Sequence, residues 1–144
     1  RQVAGNLQKL GIKPGDRIVV VLPNSPEYVV LWFAAQYCGA EVVPGNPLYP
    51  GRDVAELIRR TDAKMLIGLD VRLEPCTDAL QEVSVDYLLV TSVRPHLPAS
   101  LRAIYSLKTW LNGSIKVPAK TKLLRMESLY ARKAPPMEKS ASND

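Results

Sequence analysis

The side chains best suited to acid–base, nucleophilic or metal chemistry are few in this sequence and are not grouped. His96 is the only histidine, and a lone histidine makes no metal site. No GxSxG motif or convincing cysteine partner accompanies it, so no catalytic triad is indicated. The carboxylate pairs Asp53/Glu56 and Asp78/Glu82 have helical spacings, which are equally typical of a solvated helix face. We therefore expect His96 to be a loop residue without chemistry and the four carboxylates to be surface groups.

The spacing of the glycines excludes the two commonest nucleotide phosphate motifs. The eight glycines lie at positions 5, 11, 15, 39, 45, 51, 68 and 113, and no two are separated by a single residue, so there is no GxGxxG motif. No glycine precedes a lysine, which excludes a P-loop. The segment LPNSPE after the first apolar strand contains prolines and bulky residues, and we do not expect it to wrap a pyrophosphate.

Alternating strands and helices organise the first two thirds of the chain. The uninterrupted apolar run at 18–22 is typical of a strand that is covered on both faces of a parallel sheet. Ser25 is expected to cap the next helix, with Pro26 in its first position. The pattern predicts helices at 2–10, 26–38, 53–61 and 73–83, and strands at 18–22, 41–44, 65–69 and 87–91. This order predicts a three-layer α/β/α fold with a mainly parallel, Rossmann-like sheet.

The helix after Ser25 is apolar on nearly every side between residues 28 and 38. Such a helix is expected to be covered twice, by the sheet and by a further layer. We therefore interpret Tyr28, Trp32 and Phe33 as core residues rather than as a stacking platform for a base or an acyl chain.

Length and composition fit one globular domain. A chain of 144 residues can bury a core without disulfides or metal. Cys38 and Cys76 form no CxxC motif and no secretory segment precedes them, which favours a reduced, cytoplasmic protein. No run approaches the roughly 18 apolar residues of a membrane span. The chain opens with Arg1 inside a predicted helix and lacks an initiator methionine, so we expect it to be a piece of a longer protein.

The positive charge is concentrated in the last third of the chain. Residues 1–93 hold nine Lys/Arg against eleven Asp/Glu, whereas residues 94–144 hold ten against three. The alternation of strands and helices also weakens there. We therefore divide the sequence into a parallel α/β core at 1–93, a basic amphipathic helix with an extension at 94–134, and a linker or tail at 135–144.

The predicted helix at 98–111 combines an apolar stripe with cations. Arg102 and Lys108 flank the stripe, and Trp110 lies near its end. Such a helix can lie at the periphery of a membrane, with its leucines in the acyl boundary and its cations over anionic headgroups. Alternatively, the stripe packs against the rest of a larger protein. Nucleic acid is not an expected partner, because no RNP-like strand or recognition helix accompanies the basic residues.

Three segments carry a resemblance to a known family. They are PGDR at 14–17 before an apolar strand, PNSPEY at 23–28 before an apolar helix, and GAEVVPGNPLYP at 39–50. Together they resemble the early part of the adenylate-forming enzymes, specifically the large N-terminal domain of the long-chain fatty acyl-CoA synthetases, which are AMP-forming acid–CoA ligases. The resemblance runs from residue 1 to about residue 70 and persists more weakly to the strand at 87–91.

The resemblance implies an activity that belongs to a larger parent enzyme. Members of that family use ATP and magnesium to join a fatty acid to AMP, and then transfer the acyl group to coenzyme A. Their TSGTTGxPK phosphate loop and YGxTE segment are absent from this chain, as is their mobile C-terminal domain with its catalytic lysine. We therefore expect no catalytic residue here, no cofactor bound by the chain alone, and the remainder of the parent enzyme as its main partner.

Two sites on the coenzyme A side are implied by the resemblance. The loop Gly45, Asn46, Pro47 and Leu48 corresponds to one that lies beside the pantetheine passage in relatives. Arg72 falls near an arginine that meets the nucleotide phosphate of coenzyme A in some relatives. The alternatives are ordinary turn chemistry for the loop and a solvated surface arginine for Arg72.

A different class of function also fits the sequence. The chain could be a free-standing α/β binding or interaction module that uses its basic third to hold an anionic surface or partner. In either case an α/β layer that lacks its neighbours exposes apolar area, so we expect self-association into a homo-oligomer.

Overall fold

The computed structural model describes residues 1–111 and 115–131. It contains five parallel strands in the order β2-β1-β3-β4-β5. The strands are β1 (Arg17–Val21), β2 (Glu41–Pro44), β3 (Met65–Leu69), β4 (Tyr87–Thr91) and β5 (Lys122–Arg125). Ile18 of β1 lies opposite Val42 on one side and Met65 on the other, which fixes the register of the central strands. The predicted parallel sheet is confirmed, and the predicted tail at 135–144 lies outside the described residues.

Helices cover both faces of the sheet. They are α1 (Gln2–Lys9), α2 (Pro26–Cys38), α3 (Gly51–Thr61), α4 (Glu74–Glu82), α5 (Ala99–Leu111) and α6 (Met126–Ala131). Alternate residues of β1 point to opposite faces, so Val20 packs with α1, α2 and α6, whereas Val19 packs with α3 and α4. These two apolar cores confirm the predicted three-layer arrangement.

The ends of α2 follow from local residues. The Ser25 hydroxyl accepts a hydrogen bond from the Tyr28 backbone N–H at 3.2 Å, and Pro26 occupies the first turn. Gly39 ends the helix with φ of +70°, a left-handed conformation that glycine adopts readily. A Cβ atom at Gly39 would also lie 3.0 Å from Cβ of Pro14. The predicted helix start and stop are therefore confirmed.

The outer face of α2 differs from the prediction. Its inner face is buried through Leu31, Ala34 and Cys38. The outward side chains are between 43% and 54% exposed; they are Val29, Trp32, Phe33 and Tyr37. The core assignment of Trp32 and Phe33 is therefore wrong for the described chain, whereas Tyr28 is partly buried against the core. A helix that is apolar all round carries no periodic signal to say which side the sheet covers.

The sheet and its core continue past residue 93. β5 pairs with β4 in parallel, with Lys122 opposite Tyr87. Met126 and Leu129 of α6 are buried in the same core as α1. The Asn6 side-chain amide donates to the Leu129 carbonyl at 2.7 Å. The segment 94–134, which the sequence predicted to be an extension, therefore adds a strand to the sheet and a helix, α6, to the same layer as α1.

Candidate functional site

The carboxyl ends of the five strands form one edge of the molecule. The connection after β1 leads into α2 on one face, and the connection after β3 leads towards α4 on the other face. The gap between β1 and β3 is therefore a topological switch point, where open parallel sheets place ligands. The predicted loop after β2 and the predicted arginine after β3 both lie at this edge.

The loop after β2 is a hydrogen-bonded turn. The Gly45 backbone N–H donates to the Val20 carbonyl at 2.9 Å, which ties the loop to β1. The Asn46 side-chain oxygen accepts the Leu48 backbone N–H at 2.9 Å, and the Asn46 carbonyl accepts the Tyr49 N–H at 3.0 Å. An asparagine that binds its own backbone two residues on stabilises a turn. The loop therefore has a preset shape.

Gly45 occupies a position where a side chain would be tightly packed. A Cβ atom there would lie 3.0 Å from Cγ2 of Val21 and 3.2 Å from Cδ2 of Leu57. Gly45 has no side chain, so it acts in the loop through its backbone, whose N–H is bonded to the Val20 carbonyl. Leu48, by contrast, is 72% exposed and is open to contact from outside the described chain.

Arg72 lies against this loop. It ends the short 3-10 turn Asp70–Arg72 that follows β3. Its Nε donates to the Pro47 carbonyl at 2.8 Å, and its Nη2 lies 3.5 Å from the Leu48 carbonyl. Among the described residues, no carboxylate forms a salt bridge with Arg72. The fold thus brings together the two sites that the sequence predicted separately, and it leaves the guanidinium with unneutralised charge and spare donors.

A cleft of about 1010 Å³ lies beside this site, between α5 and the ends of β3, β4 and β5. Its lining is charged with both signs. The cations are Arg94, Arg102, Lys116 and Arg125, and the acids are Asp70, Glu74 and Glu127. Sequence reasoning missed this cleft because β5 was not assigned, and only the pairing of β5 brings Arg125 to the same edge as Asp70.

Tyr105 fastens α5 to this edge. Its hydroxyl donates to the Asp70 carboxylate, and the Ser92 hydroxyl and the Val93 N–H each lie 3.4 Å from the Tyr105 oxygen. Burial and the hydrogen bond to Asp70 raise the pKa of Tyr105 to about 12. The phenol is therefore protonated at neutral pH and serves as an anchor rather than as a base.

The remaining candidates for covalent or metal chemistry are not assembled into a site. Burial raises the pKa of the Cys38 thiol to about 11 and that of Cys76 to about 12, so neither is a nucleophilic thiolate at neutral pH. Within residues 1–111 and 115–131, no three His, Cys, Asp or Glu side chains form a group that could hold a metal ion.

His96 has a partner that the sequence did not indicate. Its Nε2 atom lies 2.5 Å from Oε1 of Glu27, at the start of α2. The Glu27 side chain is buried, and its second oxygen has no hydrogen-bond partner. The contact joins two segments 69 residues apart, and it compensates part of the cost of burying a carboxylate. His96 is therefore a structural contact between the β4–α5 connection and α2.

We predict that His96→Ala lowers the free energy of unfolding by about 1–2 kcal/mol, because Glu27 then keeps its burial without this partner. Half of the His96 side chain is exposed, which limits the effect. Urea unfolding followed by circular dichroism measures it. His96→Gln is the matched control, since it retains a hydrogen-bond donor and should lose less. Equal stability of His96→Ala and the wild type would show that the contact contributes nothing.

The three residues predicted for a membrane surface lie on different sides of α5. Arg102 lines the cleft, and its Nε donates to the Leu97 carbonyl at 2.9 Å. Lys108 and Trp110 are exposed, with Trp110 at 75%, although Trp110 also borders the cleft. Across the described part of the chain, no helix has both the length and the apolar character needed to cross a bilayer.

Comparison with known proteins gives a consistent match. The model of a family described as AMP-binding enzyme matches residues 1–129. A long-chain-fatty-acid–CoA ligase of Bacillus subtilis (strain 168) is 35% identical over 107 residues, which cover 74% of this chain and 19% of that protein. A 4-coumarate–CoA ligase of Humulus lupulus is 45% identical over 69 residues, which cover 48% of this chain and 13% of that protein. The chain thus spans about a fifth or less of the length of these relatives.

Solved structures show the same fold. A benzoate CoA ligase from Burkholderia xenovorans LB400 superposes with a TM-score of 0.68 at 20% identity, covering 98% of this chain and 23% of that one. A coronafacic acid ligase from Pectobacterium brasiliense superposes with a TM-score of 0.71 at 18% identity, covering 96% of this chain and 24% of that one. At these identities the similarity supports the fold alone.

Proposed function

Since the chain belongs to the AMP-binding enzyme family, we propose that it forms part of a cytoplasmic long-chain fatty acid–CoA ligase. That enzyme would activate a fatty acid with ATP to acyl-AMP and transfer the acyl group to coenzyme A. The observation that carries the proposal is the 35% identity over 107 residues to a long-chain-fatty-acid–CoA ligase. Because 4-coumarate–CoA ligases are also similar, the class of acid is the point that an experiment must decide.

The contribution of this chain is to shape the coenzyme A side of the site. Arg72 and Asn46 hold the 45–48 loop in one geometry at the switch point. Arginine suits a phosphate because its guanidinium is planar, always charged and rich in N–H donors. The unneutralised charge of Arg72 supports its assignment to a phosphate of coenzyme A, with the exposed Leu48 beside the thiol-bearing arm.

ATP and magnesium do not fit the described residues as a binding site. The sequence lacks a glycine-rich phosphate loop, and the described part of the chain holds no group of acids suited to a metal ion. In this proposal both are held by other parts of the ligase. The 144-residue chain alone is therefore expected to be catalytically silent.

The test is thioester formation by the full-length gene product. We expect ATP-dependent release of pyrophosphate and formation of acyl-CoA with saturated fatty acids, fastest for long chains, and little product with 4-coumarate. The chain 1–144 alone serves as the control and should give no product. Faster turnover of 4-coumarate than of any fatty acid would reject the long-chain assignment. Absence of thioester with every acid would favour the alternative of a binding module.

Arg72→Ala in the full-length ligase is predicted to raise the KM for coenzyme A about tenfold, with a smaller effect on kcat. The reason is that a hydrogen bond to a charged group contributes about 1.5–3 kcal/mol. Arg72 could bind a phosphate of coenzyme A directly or only position the 45–48 loop. Steady-state kinetics with coenzyme A and with dephospho-coenzyme A test for a direct contact with the 3′-phosphate. A contact with the 3′-phosphate makes the effect larger for coenzyme A, because dephospho-coenzyme A lacks that group and keeps only the diphosphate.

Arg72→Lys is the matched control for this prediction. It keeps the charge but loses the fork of donors that reaches the Pro47 and Leu48 carbonyls, so its KM should fall between those of the wild type and Arg72→Ala. Equal effects on the two substrates would exclude a contact between Arg72 and the 3′-phosphate. An unchanged KM for coenzyme A would remove Arg72 from the site.

A further inference from the structure

A chain of hydrogen bonds connects α5 with the 45–48 loop. The Tyr105 hydroxyl of α5 donates to the Asp70 carboxylate. Asp70 begins the 3-10 turn that Arg72 ends, and Nε of Arg72 donates to the Pro47 carbonyl at 2.8 Å. The turn is therefore held at both ends by side-chain hydrogen bonds, at its start by α5 and at its end by the loop.

The turn has little else to hold its shape. None of its three residues is buried, and no side chain caps its start. Hydrogen bonds in a 3-10 helix have poorer geometry than those in an α-helix. The buried Leu73 fixes the backbone just after the turn, but it does not set the direction of the side chains within the turn. Among the described residues, Asp70 forms no salt bridge, so the hydrogen bond from Tyr105 is what orients its carboxylate.

Tyr105 is itself fixed by the end of β4. The Ser92 hydroxyl and the Val93 backbone N–H each lie 3.4 Å from the phenol oxygen. These contacts place the phenol between the ends of β3 and β4. Burial and the hydrogen bond to Asp70 raise the pKa of Tyr105 to about 12. The hydroxyl therefore remains a hydrogen-bond donor throughout the neutral range of pH.

We propose that Tyr105 is a positioning residue for Arg72. It fixes the start of the turn 70–72, and the turn in turn fixes the guanidinium against the 45–48 loop. The inference rests on the function proposed above, in which Arg72 meets a phosphate of coenzyme A. In this arrangement Tyr105 touches no substrate and acts only through Arg72. Helix α5 thereby takes an indirect part in the binding of coenzyme A.

Steady-state kinetics of the full-length ligase test the effect on coenzyme A. Tyr105→Phe removes the hydroxyl and keeps the ring, and it should raise the KM for coenzyme A about fivefold, which is less than Arg72→Ala because the arginine remains. The KM values for ATP and for the fatty acid should not change. Tyr37→Phe is the matched control, since Tyr37 is exposed on α2, and it should leave the KM for coenzyme A unchanged.

A double variant tests whether Tyr105 acts through Arg72. In an Arg72→Ala background, Tyr105→Phe should have no further effect on the KM for coenzyme A, because two residues that act in one chain of contacts are not additive. A structural role unrelated to Arg72 would lower kcat or change the KM for ATP as well.

Substitutions of Asp70 test the acceptor. Asparagine retains a side-chain oxygen that accepts a hydrogen bond from the phenol, whereas alanine does not. Asp70→Ala should therefore raise the KM for coenzyme A about as much as Tyr105→Phe, and Asp70→Asn should raise it less.

Hydrogen–deuterium exchange of the same full-length variants measures the positioning without catalysis. Peptides that cover residues 45–49 and 70–73 should exchange faster in Tyr105→Phe than in the wild type, and they should be unchanged in Tyr37→Phe. The Leu48 amide reports on the loop, because it is bonded to the Asn46 side chain. Faster exchange with an unchanged KM for coenzyme A would uphold the role of Tyr105 and reject the coenzyme A contact that the proposed function assigns to Arg72.

Two results would overturn the inference about Tyr105. One is exchange of both segments at the wild-type rate in Tyr105→Phe and in Asp70→Ala. The other is a rise in the KM for coenzyme A that is as large in the Arg72→Ala background as in the wild type, because Tyr105 would then act by a route that does not include Arg72.

Discussion

Leu129→Ala is expected to lower the free energy of unfolding by about 3 kcal/mol, in the range measured for leucine truncation in protein cores. Leu129 is fully buried near the end of the described chain, in the core that also contains Val3 and Leu7 of α1. Its backbone carbonyl accepts a hydrogen bond from Asn6 at 2.7 Å. The substitution therefore leaves a cavity where the last described helix meets the first. The loss should appear in the global transition, because α1 and α6 share one core.

Urea unfolding followed by circular dichroism measures the effect. Tyr130→Ala is the control, since the neighbouring Tyr130 side chain is 45% exposed and its loss should cost less than about 1 kcal/mol. Similar values for the two variants would mean that α6 is not part of the cooperative core. A separate early transition in Leu129→Ala would show that α6 unfolds on its own.

Gly51→Ala is expected to destabilise the protein by about 2 kcal/mol, although alanine normally favours a helix over glycine by about 0.5–1 kcal/mol. Gly51 begins α3 where this helix crosses α4. A Cβ atom at Gly51 would lie 2.6 Å from Cβ of Asp78 and 3.3 Å from the backbone nitrogen of Ala79. These atoms belong to the backbone or lie next to it, so the helices must separate. Separation loosens the packing of Val54 and Ala55 under the sheet.

Thermal and urea unfolding of Gly51→Ala measure this cost, and a second substitution tests its cause. Asp78→Gly removes the opposing Cβ atom, so the double variant Gly51→Ala/Asp78→Gly should be less destabilised than the sum of the two single variants. Arg52→Ala is the local control, because Arg52 is exposed at the next position of the same helix. Additive single effects would show that the close contact is not the source of the loss.

The sequence determined the first four strands and the helices between them. Continuous apolar runs such as 18–22 are detectable because a strand buried on both faces needs no polar alternation. Ser25, Pro26 and Gly39 are local signals, and each acts in the structure as its residue type predicts. β5 was missed because its residues Lys122–Arg125 are mostly exposed and alternate weakly, and its strand character depends on pairing with β4.

The candidate site was predicted as two unrelated pieces. The family resemblance implied the loop at 45–48 and Arg72 separately, each from its place after a strand. The hydrogen bond between Arg72 and the Pro47 carbonyl could not be predicted from a sequence pattern. It forms because the strand order β2-β1-β3 places the ends of β2 and β3 at the same edge of the sheet. The contact between His96 and Glu27 was missed for the same reason, since 69 residues separate the two side chains.

The chemical types of the residues, the alternation of elements and the absence of a phosphate loop are properties of the sequence itself. Helices and strands can be predicted from sequence because propensity and periodicity act between residues within about one helical turn or one strand. The tertiary structure alone decided which side of an apolar helix is covered. It exposed Trp32 and Phe33 of α2, and it turned the stripe of α5 outward by fastening Tyr105 to Asp70. Burial depends on the layers that surround a helix, and those layers come from distant parts of the chain.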